Sequence, residues 1–219
     1  MLNSELSYTE ENYLKAVFRL SKEGHASTNS IAEHLNTKAS SITDMLKKLK
    51  QKKLVNYEKY QGASLTANGK KIALHIIRKH RLWEVFLVNK LGFKWDEVHD
   101  IAEQLEHIKS PELVNRLDDF LNNPEIDPHG DLIPDKNGNF PSLNHILLSQ
   151  STIGSKVTIS GVKDSSSEFL KFLDKYEISL GQKIVIEDIN TFDNSMSIKK
   201  GSQTLILSEK TCKNIYVKK

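Results

Sequence analysis

Histidines and acidic residues recur at helical spacing between residues 75 and 107, and this pattern constrains the fold more than any other in the chain. Residues four, seven or eight positions apart lie on the same face of an α-helix. The downstream group at this spacing is His99, Glu103, Glu106 and His107. The pattern predicts that these four side chains project together from one helix.

A second pair, His80 and Glu84, is also four residues apart and lies upstream of the first group. Leu91-Gly92 predicts the end of this upstream helix, which lets the two helices lie side by side. All six side chains offer nitrogen or carboxylate oxygen and none offers sulfur, which favours a borderline or hard divalent metal. The alternative is a set of solvated surface pairs, which Glu and His often form at this spacing.

The charge of the chain is unevenly distributed, although its total is only +3. Residues 1–74 carry a net charge of +5, residues 75–140 carry −5 and residues 141–219 carry +3. A basic segment beside an acidic one suggests a polyanion as partner of the first and a cation as partner of the second.

Cys212 is the single cysteine, so the sequence predicts neither a disulfide framework nor a thiolate metal site. The first residues lack the basic and apolar regions of a signal peptide, and no apolar run is long enough to span a membrane. We therefore expect a cytoplasmic protein without a membrane partner.

The first 74 residues are typical of a winged helix-turn-helix. Ser7 and Glu10 have the spacing of a capping box that starts a first helix. A second helix begins near Thr28, and a turn at residues 36–38 separates it from a third helix with an apolar stripe. Two strand-like runs around Gly62 follow and predict a hairpin wing.

The outer face of the third helix carries small hydroxyl residues near its start and lysines further along, as a recognition helix in the major groove requires. A small helical domain with lysines for solubility is the alternative. The residues predicted to contact DNA are Thr28, Lys38, Ser40, Ser41, Thr43, Asp44, Lys47 and Lys48, with Lys59 at the wing tip.

The long helix that follows has more apolar surface than a small domain can cover, which suggests a homodimer. Residues 122–141 hold four of the five prolines and read as a boundary or ordered linker. Five strand-like runs after it predict a small β-barrel. We expect an α+β chain with a DNA-binding domain over 1–74, a helical metal-binding and dimerisation domain over 75–140, and a linker with an SH3-like β-barrel domain over 141–219.

Over its whole length this chain resembles the metal-dependent repressors of the diphtheria-toxin-repressor and manganese-transport-regulator family. The resemblance is carried by the runs at residues 79–84 and 98–107 and by the Asp-Pro-His-Gly-Asp run of the linker. It implies that the β module is FeoA-like, and that the chain is a homodimeric, metal-activated repressor that binds a palindromic operator of metal-uptake genes.

The resemblance also implies two ligand sets. One comprises Glu103, Glu106 and His107 with Asn12, which precedes Tyr13-Leu14 in the first helix. The other comprises His80, Glu84 and His99, with help from the C-terminal module, where the candidates are Asp164 and Glu168.

Glu103 stands where iron-responsive relatives have Cys, and an oxygen in place of a thiolate favours Mn²⁺ over Fe²⁺ or Zn²⁺. Manganese members usually have Asp at the position of Asn12, and some have Glu at that of Lys15. Either the contact from the first helix is weaker here, or Glu11 or a water completes the shell.

Two other functions fit parts of the pattern. A metal hydrolase would use the same His and Glu cluster, but it needs an open coordination position and a general base, and no His-Glu-x-x-His motif supplies them. A winged-helix regulator of an organic ligand would leave the acidic helices purely structural.

Overall fold

The computed structural model describes residues 6–21, 24–142 and 144–219. The first five residues, where we expect no signal peptide, lie outside this range. The chain divides into two compact units: Met1–Trp83 with Glu103–Phe120 and Pro134–Phe140, and Glu84–Ala102 with Leu121–Ile133 and Pro141–Lys219. Each unit is described by itself.

The first unit begins with the predicted winged helix-turn-helix. Its elements are α1 (Tyr8–Leu20), α2 (Thr28–His34), α3 (Ala39–Gln51), β1 (Val55–Glu58) and β2 (Gly62–Leu65). The capping box is confirmed, because Ser7 Oγ accepts from the Glu10 amide and Glu10 accepts from the Ser7 amide. Ile42, Leu46 and Leu49 of α3 are fully buried. The opposite face of α3 is therefore left for solvent or a partner.

The wing is an antiparallel hairpin in which Val55 pairs with Leu65. Its second strand also pairs with the segment before α2, where the Ala26 amide donates to the Ala63 carbonyl over 2.8 Å. Gly62 makes this approach feasible: its φ is +93°, and a Cβ there would lie 2.5 Å from the Ala26 carbonyl oxygen. The tip is exposed, with Lys59 Nζ 5.0 Å from the ring centre of Tyr60.

Three further helices follow: α4 (Ala67–Leu91), α5 (His99–Leu105) and α6 (Pro111–Phe120). Gly92 ends α4 with a φ of +74°, as predicted. The expectation that Glu106 and His107 lie on the same helix as His99 is wrong, because α5 ends at Leu105. Both residues lie in the turn that follows, where the Ile108 amide donates to the Leu105 carbonyl. The Glu106 side chain is completely buried in this turn.

The described strands of the second unit are β3 (Ile146–Leu147), β4 (Lys156–Val162), β5 (Lys183–Ile189), β6 (Met196–Lys200), β7 (Gln203–Leu207) and β8 (Ile215–Lys218). They form an antiparallel sheet in the order β3-β8-β4-β5-β6-β7. A short helix, α7 (Ser167–Lys175), and a single turn, α8 (Glu209–Cys212), accompany it. β-Bulges on β4 and β5 bend the strands, as small barrels require. This is the predicted SH3-like module.

Cys212 lies within the apolar core of this module, and burial raises the pKa of its thiol to about 11. Among the described residues, no helix combines the length and apolarity that crossing a bilayer demands.

Glu10 connects α1 to the recognition helix. Its Oε1 lies 2.9 Å from Lys52 Nζ and 3.3 Å from Lys48 Nζ, and the side chain is almost completely buried. Burial alone would raise the pKa of Glu10, but Lys52, the Ser7 amide and Lys48 together lower it to about 2.

Because the pKa of Glu10 is depressed, its contribution to stability is present above about pH 4.5 and is lost as the pH falls towards 2. We expect Glu10→Gln, which keeps the capping oxygen, to lower the free energy of unfolding at pH 7 by about 1–2 kcal/mol, since the two lysines stay partly hydrated. Urea titrations should show that the difference in unfolding free energy between the wild type and Glu10→Gln decreases as the pH falls below 4.5. Exposed Glu33→Gln is the control, and a gap that persists at pH 2.5 would contradict the assignment.

Candidate metal centre

Seven side chains of the first unit form what we name the α1 cluster. They come from the first turns of α1, from α4 and from the end of α5 with the turn after it. Its members are Glu11, Asn12, Lys15, His80, Glu103, Glu106 and His107. The structure thus places Glu103, Glu106 and His107 of one sequence-predicted ligand set beside Lys15 and His80. The contact from the first helix to His107 comes from Glu11, the alternative that the sequence offered, and Asn12 follows Glu11 on α1.

Lys15 lies between two of the carboxylates. Its Nζ is 2.5 Å from Glu103 Oε1, and 2.7 Å and 2.9 Å from the two oxygens of Glu106. Lys15 and Glu106 are both buried, whereas Glu103 is partly exposed. A buried carboxylate is costly unless it is paired, so the ammonium group offsets the charge of Glu106.

The two histidines complete the contacts of the cluster. His80 Nδ1 lies 2.7 Å from Glu106 Oε2, and His107 Nδ1 lies 2.6 Å from Glu11 Oε2. The ring of His107 also stacks on Tyr8 with the ring centres 4.5 Å apart. Both imidazoles are therefore held in fixed orientations, as metal-ligating histidines are.

Two oxygens of the cluster have no hydrogen-bond partner among the described residues. They are Glu11 Oε1 and Asn12 Oδ1, and both atoms are buried. Buried polar atoms in folded proteins are normally satisfied, so two such oxygens beside further carboxylates indicate that a cation belongs here. Oxygen and imidazole donors fit a divalent ion of hard or borderline character.

The second unit contains another group, which we name the loop cluster: Glu84 of α4 with Asp127 and His129 of the loop before the sheet. All three are buried, and one ligand atom of each lies within 4.8 Å of the others. Glu84 uses Oε2 towards His129 Nδ1, at 3.6 Å, and Oε1 towards His99 Nδ1, at 3.5 Å. His99 is half-exposed at the edge of this group.

The loop is held in place by its own hydrogen bonds and by close backbone packing. Asp127 Oδ1 accepts from the amides of His129 and Asp131. Gly130 has a φ of +87°, and a Cβ there would lie 2.1 Å from Cα of Gly161 on β4. The Val162 amide donates to the His129 carbonyl over 2.7 Å. The segment predicted as a linker is therefore an ordered loop that presents two potential ligands.

His129 is charged in the metal-free protein at neutral pH. Burial alone would lower its pKa, but the carboxylates of Glu84 and Asp127, together with the Trp95 carbonyl, raise the pKa of His129 to about 9. Its Nε2 lies 2.8 Å from that carbonyl oxygen. A proton must therefore leave His129 before it can bind a metal.

The sequence analysis did not single out Asp127 and His129 as potential ligands, although both belong to the Asp-Pro-His-Gly-Asp run of the linker. The sequence signal that could have indicated these potential ligands is an aspartate and a histidine within a Pro- and Gly-rich segment, which must take a defined conformation. Asp164 and Glu168 are not members of the loop cluster: Asp164 accepts from the Ser166 amide, and Glu168 is exposed in the first turn of α7.

The residues predicted to contact DNA lie in α2, α3 and the wing. Ser40, Ser41 and Lys47 are exposed on α3, and Thr43 bonds through Oγ1 to the Ala39 carbonyl. Lys48 has a second role, since it lies beside Glu10 as well as at the surface. Thr28, Lys38, Asp44 and Lys59 complete the predicted set, and all four are at least partly exposed.

Comparison with known protein families gives matches along almost the whole chain. Residues 5–63 match the N-terminal DNA binding domain of iron dependent repressors, residues 66–135 match their metal binding and dimerisation domain, and residues 146–219 match the FeoA domain. The regulator MntR of Oceanobacillus iheyensis is 35% identical over 113 residues, which are 51% of this chain and 76% of that protein. The chain belongs to the iron-dependent repressor family.

The iron-dependent repressor IdeR of Mycobacterium tuberculosis is 34% identical over 132 residues, 60% of this chain. That match spans 57% of the length of IdeR. A manganese-dependent transcriptional repressor solved in complex with manganese superimposes with a TM-score of 0.82 at 33% identity, covering 95% of this chain and 98% of that one. The structure of ScaR with bound Zn²⁺ superimposes with a TM-score of 0.75 at 32% identity, and the match covers 96% of this chain and 99% of that one.

Membership of the iron-dependent repressor family confirms the resemblance and the winged-helix, helical and SH3-like fold class predicted from the sequence. The family is one of DNA-binding, metal-dependent regulators and not of enzymes, so the metal-hydrolase alternative is not supported.

The raised pKa of His129 makes its contribution to stability pH-dependent. The contribution is complete below about pH 6.5, the ordinary value, and is lost as the pH rises through about 9. In chelator, wild-type protein should lose roughly 2–3 kcal/mol of unfolding free energy over that range, and His129→Gln should not. Urea denaturation at several pH values measures both slopes, with the exposed His25→Gln as control. Equal slopes for wild type and His129→Gln would refute the pairing.

Proposed function

We propose that this protein is a homodimeric transcriptional repressor that binds a palindromic operator when it holds a divalent metal, preferentially Mn²⁺, and so controls metal-uptake genes. The observation that carries the proposal is the α1 cluster. It combines unsatisfied oxygens of Glu11 and Asn12, on a helix of the DNA-binding domain, with Glu103, Glu106 and His107 from the metal-binding domain.

The preference for Mn²⁺ follows from the donor atoms. Glu103 contributes oxygen where a thiolate would favour softer ions, and the remaining donors are carboxylate, amide oxygen and imidazole. The related solved structures are described as manganese-dependent or as carrying bound Zn²⁺ or Cd²⁺, which supports a divalent ion in general. The choice of manganese therefore rests on the ligand set of this chain.

The α1 cluster connects two parts of the chain. Glu11 Oε2 contacts His107 Nδ1 and so holds the start of α1 against the turn after α5, and the adjacent Glu10 contacts Lys48 and Lys52 at the end of α3. A bound divalent ion would add coordination bonds and positive charge to this junction. In a dimer, half-sites one helical turn apart demand a defined spacing of the two recognition helices, so a fixed α1 favours operator binding.

The loop cluster is proposed as a second metal site, formed by Glu84, Asp127 and His129 with His99 beside them. The ligand set of His80, Glu84 and His99 drawn from the sequence stays a prediction, as do the contributions of Asp164 and Glu168. The buried position and fixed loop of the second site suit it to a structural ion that holds the loop against α4.

On the DNA, the short hydroxyl residues at the start of α3 would meet base edges, and the lysines would meet phosphates. Ser41 and Thr43 therefore affect sequence preference, whereas Lys47 and the wing Lys59 affect affinity for all DNA and its dependence on salt. Lys38, Ser40 and Lys48 border the same surface.

Metal-dependent DNA binding is the direct test. A duplex is first selected from a random pool by the protein in Mn²⁺, and its affinity is then measured by fluorescence anisotropy in Mn²⁺ and in chelator. We expect affinity to fall roughly 5- to 150-fold in chelator, the usual range of allosteric coupling. A variant with Glu106→Gln should bind weakly in both buffers. Equal affinity of the wild type in both buffers would contradict the proposal.

Glu103 should control the choice of metal. We expect Glu103→Cys to move activation of DNA binding from Mn²⁺ towards Fe²⁺ or Zn²⁺, because a thiolate prefers softer ions. The same anisotropy assay, run with each metal in turn, measures the order of preference. Glu112→Cys, at an exposed position of α6, is the matched control. An unchanged order in Glu103→Cys would remove Glu103 from the site.

A further inference from the structure

The position of Lys15 is unusual for a residue next to metal ligands. Its ammonium group contacts three oxygens of Glu103 and Glu106 at 2.5–2.9 Å, and the side chain is only 5% exposed. It is one turn along α1 from Glu11, so both project from the same face of the helix. The ammonium group thus lies where a cation shared by Glu103 and Glu106 would have to lie.

We propose that Lys15 is an internal counter-cation that competes with the metal for Glu103 and Glu106, and so sets the metal concentration at which the protein responds. The inference rests on the proposed function, because it assumes that these carboxylates are ligands. Without metal, Nζ offsets the charges of the two carboxylates. A divalent ion can bind both carboxylates only after Nζ has withdrawn.

Competition follows from the geometry of Glu106. Both of its oxygens contact Lys15 Nζ, and Oε2 also contacts His80 Nδ1. An ammonium group at 2.7–2.9 Å and a divalent metal would have to occupy the same side of this carboxylate, which has room for one cation only. Charge-assisted hydrogen bonds are the strong ones, so breaking three contacts from one ammonium opposes metal binding substantially.

The buried Lys79 also lies near Glu106, but its Nζ donates a hydrogen bond to a backbone carbonyl, so it serves as a comparison for Lys15. It is also 5% exposed, and its charge interacts with Glu11 and Glu106. Its Nζ donates to the Ile108 carbonyl at 3.3 Å, and burial lowers its pKa below the ordinary value. Lys79 therefore acts on the carboxylates only through its electric field, whereas Lys15 occupies their lone pairs.

The proposal predicts opposite effects of one substitution on two properties. Lys15→Met should lower the urea midpoint of unfolding in chelator, because two carboxylates lose their cation. It should also bind Mn²⁺ at least tenfold more tightly, which corresponds to about 1.4 kcal/mol. Lys15→Gln, which keeps a hydrogen-bond donor and a polar group, should show the same two changes to a smaller extent and serves if Lys15→Met does not fold.

Isothermal titration calorimetry with Mn²⁺ measures the affinity, and the binding event that disappears in Glu106→Gln identifies the α1 cluster. Lys79→Met is the matched control and should change the affinity of that event by less than threefold. Equal or weaker Mn²⁺ binding by the Lys15 variants would overturn the competition while leaving the metal site intact. If Lys79→Met increased the affinity for Mn²⁺ as much as the Lys15 variants do, the loss of any nearby positive charge would explain the effect, and competition by Lys15 would be overturned. If the wild type shows no such event, the proposed function itself fails.

Discussion

The structure depends on how a set of carboxylates beside α1 is neutralised. Glu11 and Glu106 are fully buried, and Glu103 lies beside them at the surface. Acidic groups this close repel one another and cannot all remain charged without a cation. In the chain alone, Lys15 provides a cation for Glu103 and Glu106, and the imidazoles of His80 and His107 contact Glu106 and Glu11. The oxygens of Glu11 and Asn12 that lack a hydrogen-bond partner among the described residues are the positions that a metal ion would satisfy under the proposed function.

The same short stretch of α1 connects the cluster to the DNA-binding surface. Glu10 contacts Lys48 of α3 and Lys52, which follows the last residue of α3, and the next residue, Glu11, contacts His107. Consecutive residues of a helix project about 100° apart, so one turn can contact both neighbours. A change in how α1 is held at the cluster would therefore reach α3 through the ion pairs that the buried Glu10 makes with the partly exposed Lys48 and Lys52. Both contacts lie within one compact unit.

Much of this organisation could be predicted from the sequence, because it follows local rules. The capping box, the apolar stripe of α3, the wing and the helical spacing of His99 and Glu103 are all periodic or positional patterns. The rest depends on long-range packing. The loop that carries Asp127 and His129 depends on the close approach of Gly130 to Gly161, and no local pattern encodes that contact. Lys15 reads from the sequence as a residue that cannot ligate, and only the folded chain shows its charge inside the cluster.

Anomalous diffraction at the manganese edge, from crystals grown with Mn²⁺, tests the central claim most directly. The account predicts a peak bounded by Glu11, Asn12, Glu103, Glu106 and His107, with Lys15 Nζ withdrawn from the carboxylates. The absence of a peak at these residues, with Lys15 still between Glu103 and Glu106 at saturating manganese, would contradict it.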